Sequence, residues 1–326
     1  MIFGIFRVKP RFRTPFSCAK KVEKTNQKST ATYNKRRSNN MDEFKRRLVS
    51  LQHCKGIGWK TIYQLLKHDP DLSTLFEKKK FPSSLPQIPK NLLDNLHSHS
   101  IYEQIRQYEL NQIHMITLFD DEYPERLRET YEPPWVLYGK GRIDLLQRQL
   151  KLAVVGSRNA TEYGRKAIEA IFPALIEKEI VIVSGLATGI DTIAHETSIR
   201  LGGATIAVIA GGLFHIYPKT NKELAIELMR NQLVLSEYPP NSLPLRWQFP
   251  LRNRIISGMS NGIFVVEAKQ KSGSLITANW AVNEGREVFA LPGNIFSTTS
   301  AGTNELIQQG AKLVLNGKDI LDELNF

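Results

Sequence analysis

Leu152-Ala153-Val154-Val155-Gly156-Ser157-Arg158 is a run of four apolar residues that passes directly into a glycine, a small hydroxyl residue and a cation. An apolar run without polar alternation reads as a strand covered on both faces. Its Gly-Ser-Arg end leaves backbone N–H groups free to meet an anion, and a helix is expected from near Thr161. The same grammar recurs at Ile180-Val183, Ala204-Ile209, Leu233-Ser236, Gly262-Val266, Val288-Leu291 and Lys312-Leu315, each separated from the next by a helical stretch. Apolar strands alternating with helices predict an α/β fold, a doubly wound and mostly parallel Rossmann-like sheet over residues 151–326.

In such a sheet the ligand sits at the carboxyl ends of the strands. The second strand ends in Ser184-Gly185-Leu186-Ala187-Thr188-Gly189-Ile190-Asp191, with His195 one helical turn further on. Asp191 reads either as a helix cap or as a group that orients the ligand. His195 reads either as a packed histidine or as a partner of Asp191. Further along, Phe249-Pro250-Leu251-Arg252-Asn253-Arg254 and Lys271-Ser272-Gly273-Ser274 supply cations and a Ser-Gly-Ser turn at a helix start. Cation side chains beside exposed amides make an anion site, most simply for phosphate. Arginines two apart on extended chain face opposite ways, so spacing does not say which of Arg252 and Arg254 enters the site. Ser272 or Ser274 also fits an N-cap, which uses the same amides.

Gly156 and Gly164 do not make the G-x-G-x-x-G fingerprint, no acidic residue closes the second strand, and there is no Walker A lysine. An NAD-type cofactor or an ATPase is therefore disfavoured, and no cofactor, catalytic residue or metal is expected. Cys18 and Cys54 are too few for a disulfide framework or a zinc pattern. His97 and His99 are two apart, which does not place them on one helix face.

The net charge is +12 over 326 residues. Residues 1–40 hold eleven Lys/Arg against Glu23 alone, a balance of +10, so the other 286 residues carry +2. That leader reads as disordered, and it fits a nucleic-acid arm, a transit-like peptide or an upstream start before Met41. Nucleic-acid affinity in the body must then come from a local cluster. Residues 41–110 have helical periodicity and contain Cys54-Lys55-Gly56-Ile57-Gly58-Trp59, which fits a helix-hairpin-helix turn or a plain glycine turn between packed helices. Lys78-Lys79-Lys80 reads as a solvated loop, and the Pro-rich segment Phe81 to Pro89 breaks the helices. Residues 111–150 read as a strand-and-turn connector. The longest apolar run, Ala204 to Phe214, is too short to span a membrane, and no secretory segment is evident, so a cytoplasmic protein is expected.

Taken together and in order, Gly156-Ser157-Arg158, Ser184-Gly185-Leu186-Ala187 with Gly189-Ile190-Asp191 and Ala194-His195, Tyr217-Pro218, Ser236-Glu237-Tyr238-Pro239, Phe249-Pro250 with Arg252-Asn253-Arg254, Lys271-Ser272-Gly273-Ser274-Leu275-Ile276-Thr277-Ala278 and Pro292-Gly293 resemble the DNA-processing protein A (DprA/Smf) family. The resemblance covers about residues 115 to 315. It implies a Rossmann-like domain preceded by a small helical domain similar to a sterile-alpha-motif fold, and a protein that is not an enzyme. It further implies single-stranded DNA binding, a homodimer, protection of incoming DNA and loading of the RecA recombinase during natural transformation. Some members add a C-terminal winged-helix domain, whereas this chain stops at Phe326. The DNA pocket implied is Gly156, Ser157, Arg158, Ser184, Gly185, Gly189, Arg252, Asn253, Arg254, Lys271, Ser272, Gly273 and Ser274, with Phe249 to stack on bases. Asp191 and His195 take structural or orienting roles. The competing expectation is a nucleotide-processing hydrolase on a lysine-decarboxylase-like Rossmann fold; here Pro292-Gly293 runs into Asn294-Ile295 instead of that group's glycine-rich loop.

Overall fold

The computed structural model describes residues 42–77, 96 and 98–324. The basic leader, Lys78-Lys79-Lys80, Phe81 to Pro89 and His97 lie outside the described residues. The chain begins with helices α1 (Glu43–Gln52), α2 (Trp59–His68), a single turn α3 (Ser73–Phe76) and α4 (His99–Leu110). Asp42 caps α1 by accepting from the Phe44 N–H at 3.3 Å. The glycine turn before α2 needs Gly56, whose φ of 81° is left-handed. That turn packs through Ile57 and Trp59 and leaves Lys55 and Lys60 in solvent. Trp59 stacks on Trp135 with centroids 5.1 Å apart. Each indole N–H donates across this contact, Trp59 to the Pro133 carbonyl at 2.7 Å and Trp135 to the Trp59 carbonyl at 3.1 Å. The helical region is thereby fastened to the sheet that follows.

Next come β1 (His114–Thr117), α5 (Glu125–Arg128), β2 (Val136–Gly141), β3 (Lys151–Val155), α6 (Glu162–Glu177), β4 (Val181–Ser184), α7 (Ile190–Arg200), β5 (Thr205–Ile209), α8 (Lys222–Asn231) and β6 (Leu233–Ser236). After them follow α9 (Gln248–Gly258), β7 (Gly262–Val265), α10 (Gly273–Asn283), β8 (Glu287–Ala290), α11 (Ala301–Gln308), β9 (Lys312–Leu313) and α12 (Gly317–Glu323). The strands form one nine-stranded sheet in the order β1-β2-β6-β5-β4-β3-β7-β8-β9. All seven strands expected from apolar runs are present and pair in parallel.

The stretch 111–150 does more than connect. Its β1 and β2 pair antiparallel, and β2 pairs antiparallel with β6, so the sheet continues through them. The physical gain is that β6 is no longer an open edge. Partners this far apart in the chain leave no local mark in the sequence.

Alternate residues of each strand divide the core. Leu152 and Val154 pack with Ile168, Phe172 and Ile193 of α6 and α7. Ala153 and Val155 pack with Ile255, Ile256, Ala278 and Ala281 of α9 and α10. Helices therefore cover both faces, which is what strands without polar alternation require. Strand order reverses between β3 and β7, and this switch point opens a crevice at the carboxyl ends.

Candidate functional site

A cavity of about 310 Å³ occupies that crevice. The end of β3 contributes Gly156, Ser157 and Arg158, the loop after β4 contributes Ala187, and α7 contributes Asp191. Helix α9 brings Arg252 and Asn253, and the loop from β7 to α10 brings Lys269, Ser272, Gly273 and Ser274. Ser272 stands at the N-cap of α10 but does not cap it; its Oγ shares a hydrogen bond with Ser274 Oγ at 2.9 Å. The first amides of α10 thus have no side-chain cap and border the cavity, where helix dipole and N–H groups favour negative charge. Arg158 and Lys269 are exposed at the mouth, and among the described residues neither forms an ion pair.

Arg252 is a buried wall of this cavity. Its Nη1 donates to the Gly185 carbonyl at 2.5 Å and to the Val208 carbonyl, and its Nε donates to Asn253 Oδ1 at 3.0 Å. Gly185 is required by this packing, because a Cβ there would lie 2.6 Å from the guanidinium. Burial pulls the Arg252 pKa down to about 10, Asp191 opposes that and Arg158 adds to it; the group stays charged at neutral pH. Asp191 does not cap its own helix. Its carboxylate reaches back to accept from the Gly185 and Ala187 N–H groups at 3.1 and 3.3 Å, holding the loop after β4 in place. Burial raises its pKa, and Arg252 is the main opposing influence.

His195 bonds to Thr205, not to Asp191. Thr205 Oγ1 donates its proton to the Ile182 carbonyl at 2.8 Å, so His195 Nδ1 must be the donor in its 2.7 Å contact with Thr205 Oγ1. Nε2 is buried without a partner. Burial, with the nearby charge of Arg252, lowers the His195 pKa from 6.5 to about 3. A base that is harder to protonate when folded than when unfolded stabilises fully above its unfolded pKa, and the contribution is lost as pH falls from 6.5 toward 3. The parent is therefore expected to lose about 2 kcal/mol more stability than His195→Asn between pH 7 and pH 5, read from urea midpoints at both values. Equal losses in the two chains would show that the histidine is not held neutral. Asp191 slopes the other way, and the comparison between the chains cancels it.

Other residues expected at the site lie elsewhere. Residues 252 and 254 are helical, about 200° apart around α9. Arg254 accordingly leaves the cavity: its Nη2 meets Glu237 Oε1 at 2.5 Å and its Nη1 donates to the Glu132 carbonyl at 2.9 Å. Ser184 is fully buried, its hydroxyl donating to the Val154 carbonyl at 2.6 Å. Phe249 stands three residues before Arg252 on a neighbouring helix face, edge-on to Tyr217 at 5.6 Å. Lys271 takes a left-handed φ of 58° in the turn before α10 and is not part of the cavity wall, whereas Lys269 is. The strand-end rule that picked out Arg158 also covers Lys269, two residues past Glu267.

Fold and crevice define a class: a Rossmann-like protein with a crevice at the switch point lined by cations and bordered by helix amides. Within that class the chain belongs to the DNA recombination-mediator protein A family, whose family model matches residues 114–325. It is 48% identical over 212 residues to DNA processing protein DprA of Bacillus subtilis, covering 65% of this chain and 71% of that one. It is 51% identical over 210 residues to the Streptococcus pneumoniae protein of that name, covering 64% and 74%. The solved structure of DNA processing protein A from Streptococcus pneumoniae superposes with a TM-score of 0.70 at 39% identity, over 88% of this chain and 99% of that one. A structure of the Helicobacter pylori protein, described for its single-stranded DNA binding mode, gives a TM-score of 0.59 at 32% identity, over 64% and 95%. Among the described residues, no helix is long and apolar enough to cross a membrane.

Proposed function

We propose that the crevice binds the phosphate backbone of single-stranded DNA. The observation that carries this reading is the pair of unpaired cations, Arg158 and Lys269, flanking uncapped amides at the start of α10. Ser157, Asn253 and Ser274 add hydrogen-bonding groups to the wall. Phe249 is the candidate base platform, since single-strand binders pair a positive groove with stacking aromatics. Arg252, Asp191, Gly185 and Gly189 shape the pocket, and Arg254 braces α9 from the opposite side.

The buried carboxylates favour binding over hydrolysis. Glu267 accepts from both the N–H and the hydroxyl of Thr161, at 2.9 and 2.5 Å, Asp191 holds loop amides, and Glu237 pairs with Arg254. Glu267 and Glu237 are thus committed to protein donors away from the cavity wall, and Asp191, the one carboxylate on that wall, spends Oδ2 on the loop amides.

In a titration of labelled oligo(dT), Arg158→Ala and Lys269→Ala are each expected to weaken binding and to lower the slope of log K against log[salt] by roughly 0.7. The double variant should lose both increments. Unchanged affinity and slope in the double variant would sink the reading, and product analysis in the same samples tests the hydrolase. Family membership supports the finer reading that the chain, as a homodimer, protects incoming strands and loads the RecA recombinase in natural transformation. Sedimentation of the chain alone and of its DNA complex with recombinase tests that step.

A further inference from the structure

We propose that the loop between β8 and α11 is a second base-stacking arm, with Phe296 as its platform; this rests on the single-stranded DNA reading. Ile295 and Phe296 are 80% and 88% exposed, more than any other large apolar side chains among the described residues. Flexibility does not account for that exposure, because the loop is tied at every stage. Asn304 clamps Gly293 from both sides, its Oδ1 accepting from the N–H at 3.1 Å and its Nδ2 donating to the carbonyl at 3.0 Å. Asn294 Oδ1 accepts from the Phe296 N–H at 2.8 Å, and its carbonyl accepts from the Ser297 N–H at 2.9 Å. Two large apolar groups are thus held in water by a loop built to hold them.

The position of the loop selects the occupant. It leaves β8, the neighbour of β7, at a strand spacing of about 4.8 Å. The Ala268 N–H donates to the Thr299 carbonyl at 2.7 Å, and the Gly302 N–H donates to the Ala268 carbonyl at 2.8 Å, so the arm is anchored to the residue preceding Lys269. Tyr163, half exposed on α6, donates its hydroxyl to the Pro292 carbonyl at 2.6 Å at the root of the arm. The arm therefore flanks the cationic crevice on the side away from Phe249. The exposed cations of that crevice, Arg158 and Lys269, form no ion pair among the described residues and call for an anionic occupant. A polyanion carrying flat apolar bases satisfies both features at once. The strand then runs through the crevice with a ring at each exit.

The test is an oligo(dT) length series on Phe296→Ala and Phe296→Trp, with the oligomeric state of each measured by light scattering. Phe296→Ala is expected to match the parent on the shortest oligonucleotides that bind and to fall behind by roughly five- to 150-fold on longer ones, the range that base–aromatic stacking spans. Phe296→Trp is expected to keep the parent's length dependence and to show indole quenching by oligo(dT) in excess of that from the parent's own four tryptophans. Parent-like affinity of Phe296→Ala at every length, with no added quenching in Phe296→Trp, would overturn the arm while leaving the crevice intact. A drop in oligomeric state on Phe296→Ala without a change in binding would also overturn it, giving the patch to a second copy. If the parent binds no oligonucleotide, the underlying reading fails with it.

Discussion

Replacing Arg252 with methionine is expected to lower the stability of the folded chain by about 3–5 kcal/mol, because a buried, hydrogen-bonded cation is removed while the buried carboxylate whose charge it offsets stays behind. Methionine roughly fills the volume, so the loss is not that of a cavity. It arises because the carbonyls of Gly185 and Val208 lose their donor and the buried Asp191 carboxylate loses its counter-charge. Adding Asp191→Asn should recover part of the loss, since the amide removes the stranded charge, and the double-mutant cycle should give a clear coupling energy. Arg252→Lys keeps the charge but lacks the fork that reaches both carbonyls, and is expected to recover it only partly. Urea midpoints of the four variants measure this; an Arg252→Met chain within about 1 kcal/mol of the parent would contradict the account. Weak oligonucleotide binding by any Arg252 variant would then report a collapsed crevice, and the exposed Arg158 and Lys269 are the positions that report contact with the ligand.

The same distinction explains how far the sequence could be read. Fold class was legible because a strand covered on both faces must be apolar throughout, and seven such runs alternate with helices. The place of β1 and β2 was not, because pairing Tyr138 with Ser236 is a contact between distant segments of similar composition. The glycine and serine strand ends were legible as a crevice, since small residues at those points expose backbone. Which cations face it was less so. Arg252 and Arg254 separate only once α9 is known to be helical there, a state that Pro250 in its first turn permits. Lys269 and Lys271 separate only because the left-handed turn at 271 redirects the chain. The partner of His195 lay on β5, outside any spacing rule.

Substituting Gly189 should have a comparably large effect, for a reason confined to backbone. Its φ of 78° and ψ of −125° lie in a region essentially reserved for glycine, and a Cβ there would lie 2.2 Å from the Ser157 carbonyl oxygen and 2.6 Å from the Arg158 carbonyl carbon. Neither neighbour is a side chain that can rotate away. Backbone strain alone costs about 1–3 kcal/mol, and the collision must also push the Gly156–Arg158 turn off the start of α7, breaking the 3.1 Å bond from the Ile190 N–H to the Ser157 carbonyl. Gly189→Ala is therefore expected to lose about 3 kcal/mol or more and, at temperatures where it remains folded, at least about tenfold in oligo(dT) affinity, because Arg158 moves with the turn. Gly202 provides the control: its φ of 71° is also left-handed, but a Cβ there meets nothing within 4 Å. Gly202→Ala should lose only about 1 kcal/mol and bind as the parent does. Gly189→Ala as stable as Gly202→Ala would mean that the turn after β3 can move freely, and the crevice could not then owe its shape to the seating of that turn on α7.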